Sequence, residues 1–142
     1  MPMRTLMLMA LTLFPMLCSG ADRWTALSMF ESCDNDRAVG SAGEISRYQI
    51  LKQEWATVTA SRRYTDAKLA KSVAEELMKR RYNQFVQTFH REPSDYEFYV
   101  LWNAPYQLLE RRVSRVVAER AHRFHNLVLA LNPPLKLYAS VK

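Results

Sequence analysis

The sequence predicts a mainly α-helical single domain, with one irregular loop or small hairpin between a first helix and the helical core. Three observations carry this. Apolar residues recur at three- and four-residue spacing over most of the chain after Thr65, no alternating apolar–polar run exceeds a few residues, and two of the three glycines fall within the polar stretch Asp34 to Gly43. A chain of 142 residues that is 49% hydrophobic and carries a net charge of +6 is long enough for one core and too apolar for disorder. Its two cysteines exclude a disulfide scaffold.

The N-terminus opens with Met-Pro-Met-Arg, then an uncharged apolar run from Leu6 to Leu17, then Cys18-Ser19-Gly20-Ala21. A cationic start, a short apolar stretch and a small-residue exit compose a secretory signal peptide, expected over residues 1–20. The run is shorter than the ~20 residues that span a bilayer. Pro15-Met16-Leu17 before Cys18 lacks the small residues of a lipidation site. Removing 20 of the 142 residues leaves 122, and losing Arg4 but no acid takes the charge from +6 to +5. We therefore expect an exported protein, periplasmic or extracellular, monomeric, with no stable membrane insertion once the signal has gone. Cys33 is then the only thiol, either a buried small apolar residue or an exposed reactive one, burial being commoner.

Asp22 offers an N-cap for a short helix through Trp24, Ala26, Leu27 and Phe30, ending near Cys33. The glycine-bearing loop follows. Ile45 to Ile50 reads as an extended piece or irregular turn, and Gln53 to Thr59 as a short helix. After Thr65-Asp66, Leu69, Val73, Leu77, Phe85 and Phe89 fall four apart or multiples of four, which predicts a helix of about six turns stopping before Pro93. Ser94 and Glu97 have the spacing of a capping box. The helix they start carries Tyr96, Phe98, Tyr99, Val100 and Leu101, apolar nearly all round and hence central. Beyond Pro105, apolar positions from Leu108 to Leu131 predict one long helix or two, ended by Asn132-Pro133-Pro134. The domain is expected over 21–132, with residues 133–142 a tail.

Glu31 is the most informative acid. It stands between Phe30 and Ser32 at the C-terminal end of the first predicted helix, where apolar neighbours and the negative end of the helix dipole both disfavour its charge. A carboxyl kept protonated near neutral pH can give a proton to a leaving oxygen. The plain alternative is a solvated acid at a helix end.

The run from Glu31 to Ile50 resembles, without a gap, the signature of the lytic transglycosylases and goose-type lysozymes. Glu31, Ser32, Asn35, Ala38, Val39, Gly43, Gln49 and Ile50 match. Leu101-Trp102-Asn103-Ala104-Pro105 looks like that family's second signature, with Trp102 for Tyr and Pro105 for Gly. The resemblance covers roughly Asp22 to Phe124 and departs at Gly40 (usually Ser), Glu44 (Ala), Ser46 (Gly) and Tyr48 (Met). Ser46 puts in question a turn that glycine would ease. Some lysozyme-like proteins of phages and conjugation systems have a similar Gly-Glu and Tyr-Gln-Ile arrangement.

The resemblance implies a lysozyme-like fold and cleavage of the β-1,4 bond between N-acetylmuramic acid and N-acetylglucosamine in peptidoglycan glycan strands. It implies Glu31 as acid, then as base for the muramyl 6-hydroxyl, leaving a 1,6-anhydro end without a cofactor or metal. Gln49 and Asn103 are carried over as hydrogen-bond partners of the sugar, Ser32 as the partner of Glu31 in the motif and a substrate-side residue, and Tyr48 and Trp102 as cleft lining. Glu44 keeps an inverting hydrolysis open, as base for water, since carboxyls about 6.5–9.5 Å apart run that reaction; pairing of Glu44 with Arg47 or Arg37 is the plain alternative. A wall-binding protein without catalysis is the rival from another class, motivated by Ser46 and Pro105.

Asp34 and Asp36 are expected to cap turns. Arg111, Arg112, Arg115, Arg120 and Arg123, with His122 and His125, are scattered around a helix and expected as a solvated face, with attraction to an anionic wall the alternative and no nucleic-acid partner. His90, His122 and His125 lack metal-ligand spacing with Cys33, and no phosphate-binding glycine loop or Gly-x-Ser-x-Gly elbow is present.

Overall fold

The computed structural model describes residues 20–133, with side chains from residue 23. The expected signal segment up to residue 19 and the tail from residue 134 lie outside the described residues. Among the described residues six helices follow in order: α1 (Gly20–Ser32), α2 (Lys52–Ala56), α3 (Ala67–Phe89), α4 (Asp95–Asn103), α5 (Pro105–Leu109) and α6 (Arg115–Leu131). No strand occurs among the described residues, only two isolated antiparallel bridges, Val39 with Ile45 and Ile45 with Ile50. The chain is mainly α, and 33–51 is its irregular insert.

Local chemistry accounts for the helix boundaries. Asp66 accepts from the Leu69 N–H at 3.0 Å and starts α3, which ends on His90 in the left-handed conformation, φ 55°. The capping box is present: Ser94 Oγ accepts from the Glu97 N–H at 3.2 Å, and the Glu97 carboxylate accepts from the Ser94 N–H at 2.9 Å. Arg91 grips that carboxylate through two bonds of 2.6 and 2.7 Å, which with the cap pulls its pKa down to about 2. Pro105 occupies the first turn of α5, where its missing N–H costs nothing. Ser114 caps α6, so the last apolar stretch forms two helices. Asp22 lies inside α1, which starts earlier than a cap there would allow.

Five consecutive residues of α4, Phe98 to Trp102, are buried, which makes it the central helix. It packs chiefly on α6, and α6 in turn on α1. Aromatic rings lock these three together: Phe98 stacks on Phe124 at 5.9 Å between centroids, and Phe30 meets Tyr99 edge-on at 5.1 Å. This packing fixes the C-terminal end of α1, and with it Glu31.

The insert is held by polar ties. Arg47 makes a two-pronged pair with Asp36 at 2.6 and 2.9 Å, and Ser28 Oγ donates to Asp34. These acids therefore anchor the insert to α1 and to Arg47 rather than capping turns. Ser32 Oγ donates to the Arg47 carbonyl at 2.8 Å and accepts from the Asn35 N–H at 3.1 Å. Cys33 follows α1 with φ 53° and is exposed, the less common of the two expected outcomes. Ser46, where the resembled pattern has Gly, is buried at φ 66°.

Candidate active site

A cleft of about 350 Å³ opens where the end of α1, the insert, the end of α4 and α6 meet. That volume lies in the range of small-ligand sites. Glu31, Glu44, Gln49, Trp102 and Asn103 all line it. Two residues expected beside them do not. Ser32 spends its hydroxyl on backbone carbonyls, that of Ser28 in α1 and that of Arg47 in the insert. Tyr48 is 4% exposed, packs edge-on against Trp24 at 5.8 Å, and borders a separate cavity with Arg47 and Lys71. The turn closed by the Gln49 N–H to the Ser46 carbonyl, with Gln49 at φ 52°, sends the neighbouring Tyr48 and Gln49 side chains to different cavities.

Glu31 keeps 8% of its side-chain surface exposed. Tyr99 O–H donates to its Oε1 at 2.9 Å, and Arg120 Nε–H donates to the Tyr99 oxygen at 2.8 Å. A second Arg120 nitrogen stands 3.5 Å from Glu31 Oε2. Burial dominates and holds the Glu31 pKa above its ordinary value; the Tyr99 bond and the Arg120 charge pull it down, and Glu44 pushes it up. Burial, aided by the charge of Glu31, raises the Tyr99 phenol too, so it stays protonated and able to donate.

Glu44 enters the cleft by a narrow allowance. Its Oε2 accepts from the Ala42 N–H at 2.9 Å. A Cβ on residue 40 would stand 2.2 Å from that oxygen and 2.6 Å from Gln49 Oε1, so only glycine leaves both side chains where they are. Arg47 takes Asp36, and among the described residues neither it nor Arg37 forms an ion pair with Glu44, which corrects the expected rim pair. Gln49 Nε2 donates to the Ser46 carbonyl at 3.0 Å.

Trp102 lines the cleft with little of its surface. It is 8% exposed, and Arg81 lies over its ring at 5.3 Å while donating to the Trp102 carbonyl at 2.7 Å. Arg81 also pairs with Glu54 on the cleft wall. Asn103, the last residue of α4, is exposed at the rim.

Tyr99 and Arg120 are the site residues that sequence reasoning missed. Tyr99 reads as a core aromatic and Arg120 as part of a solvated basic face, and they reach Glu31 across 68 and 89 positions of sequence. The alignment of Tyr99 one helical turn before Trp102 was the only available hint. Among the described residues, no group of three or more His, Cys, Asp or Glu side chains is arranged to hold a metal ion.

In comparisons with known proteins, the chain matches no family model, and no curated protein or solved structure is found similar to it.

Proposed function

We propose that this chain is a lysozyme-like peptidoglycan lytic transglycosylase, with Glu31 as its acid and base. The observation that carries the reading is a carboxyl 8% exposed, at the end of a helix, facing a cleft with its pKa raised. The protonated group gives its proton to the oxygen bridging N-acetylmuramic acid and N-acetylglucosamine as the C1–O bond breaks. The carboxylate so formed takes the proton of the muramyl 6-hydroxyl while that oxygen bonds C1, closing a 1,6-anhydro ring without consuming water. Gln49 and Asn103 offer amide donors and acceptors to the sugar and its N-acetyl groups. The expected export signal, absence of a cofactor, and action as a monomer on glycan strands belong to the same proposal.

Glu44 favours a second reading. Its carboxylate shares the cleft with Glu31, as an inverting hydrolase requires of its base. A wall-binding protein without catalysis is the third. Purified sacculi digested with wild-type protein and with Glu31→Gln separate all three. Transglycosylation releases fragments one water lighter than hydrolysis, and hydrolysis in labelled water introduces the heavy oxygen. Binding without any soluble fragment, or digestion by Glu31→Gln at the wild-type rate, rejects the enzyme assignment.

A further inference from the structure

We propose that Arg120 is a positioning residue for Glu31: acting through Tyr99, it holds the carboxyl in one orientation with Oε2 as the oxygen that delivers the proton. The proposal rests on Glu31 being the acid and applies to transglycosylation and hydrolysis alike.

The bond directions form a chain. Arg120 Nε donates to the Tyr99 oxygen, and the Tyr99 O–H, polarised by that cation, donates to Glu31 Oε1. Tyr99 O–H has its one proton committed, so Oε1 serves as the acceptor in both forms of the carboxyl. Oε2 takes only the longer contact, 3.5 Å from the other Arg120 nitrogen against 2.9 Å from Tyr99 to Oε1, and is the oxygen left to carry the proton of the acid form.

Arg120 is held for this task. Its guanidinium lies 5.6 Å from the centroid of Phe30 and 5.8 Å from that of Tyr99. A neighbouring arginine on the same helix behaves differently: Arg115 is 91% exposed and pairs with Glu119 one turn on. Arg120 instead reaches an acid on another helix, with 37% of its side chain exposed at the cleft.

The charged and titratable groups facing Glu31 are Tyr99 from α4, Arg120 from α6 and Glu44 from the insert. Burial and Glu44 favour the protonated form; Tyr99 and Arg120 favour the carboxylate that appears as the proton leaves. A carboxyl used once as acid and once as base needs both.

The test follows the Glu31 carboxyl carbon by NMR in the ligand-free protein, assigned with Glu31→Gln. Wild type, Arg120→Met, Arg120→Lys and Tyr99→Phe are titrated, with sacculus digestion measured over the same pH range. Arg120→Met should titrate at higher pH than wild type and lose about 100-fold in digestion rate, the scale of a misplaced catalytic group. Arg120→Lys should restore part of the titration while remaining slow, since one ammonium cannot replace the two arginine nitrogens at their separate partners. Tyr99→Phe, which keeps the ring packing, should also titrate upward. Folded Arg120→Met and Tyr99→Phe proteins that both titrate like wild type overturn the proposal, as does an upward titration with digestion unchanged in Arg120→Met. If the titrations move but wild type digests no sacculi, the positioning role stands and the proposed function falls.

Discussion

Gln49 and Tyr48 are neighbours in sequence, yet one borders the cleft with Glu31 and the other is buried against Trp24 on the far side of the insert. The cleft side carries Glu44, Gln49 and the space beside Gly40. The far side carries Tyr48, which packs on Trp24 of α1, and Arg47, whose pair with Asp36 ties two parts of the insert to each other. One stretch of sequence thus does two jobs. Its chemical character does not tell them apart, since a tyrosine suits a sugar platform as well as it suits a core. What separates them is the left-handed turn at Gln49.

Substitutions on the two sides should therefore fail differently. The largest effect belongs to Glu31→Gln, which should slow sacculus digestion by at least about 100-fold. The same variant tests the burial of the charge. Because the folded protein raises the Glu31 pKa above its ordinary value of 4.5, ionising that group opposes folding, and the penalty is present at neutral pH and absent below the unfolded value. Glu31→Gln should melt at a higher temperature than wild type at pH 7–8. Thermal scans of the two proteins should converge below about pH 4.

Next come the neighbours themselves. Tyr48→Ala removes a buried ring and should cost about 3 kcal/mol in denaturant titration, with digestion per folded molecule nearly kept. Gln49→Ala should do the reverse, slowing digestion roughly 10-fold for about 1 kcal/mol or less of stability. If Tyr48→Ala instead inactivates a fully folded protein, the division between the two sides is wrong.

Gly40→Ser probes the cleft lip. The atoms a side chain would strike are the flexible ends of Glu44 and Gln49, so stability should fall by no more than about 1 kcal/mol while those ends are driven from the cleft. Digestion should slow with little change in melting. The smallest effect is expected at Ser46, whose φ of 66° suits glycine better; Ser46→Gly should gain about 0.5 kcal/mol, set against its weak 3.3 Å bond from the Tyr48 N–H. Equilibrium unfolding measures the difference.

Much of the fold was legible because its signals are local. The start of α3 after Asp66, its apolar spacing and the Ser94–Glu97 box each rest on residues within one or two helical turns, and each appears where expected. The cleft was legible in part: five residues singled out in the sequence, Glu31, Glu44, Gln49, Trp102 and Asn103, line it together. The rest depended on long-range geometry. Non-glycine residues in left-handed conformation, Cys33, Asp34, Ser46 and Gln49, reset the direction of the insert without a distinctive residue type to mark them. Asp36 finding Arg47 removed that arginine from Glu44, an exchange spacing alone does not decide. Arg120 gave no sign of its role, since its partners arrive only when α1, α4 and α6 have packed.

The missing side chain at position 40 also constrains how this cleft can be altered over evolutionary time. Serine at 40 and glutamate at 44 compete for the same space, so neither site is free to drift alone. A chain that acquires serine at 40 must first shorten the acid at 44, and the opposite order passes through a crowded intermediate. Two positions four apart should therefore be inherited as a pair.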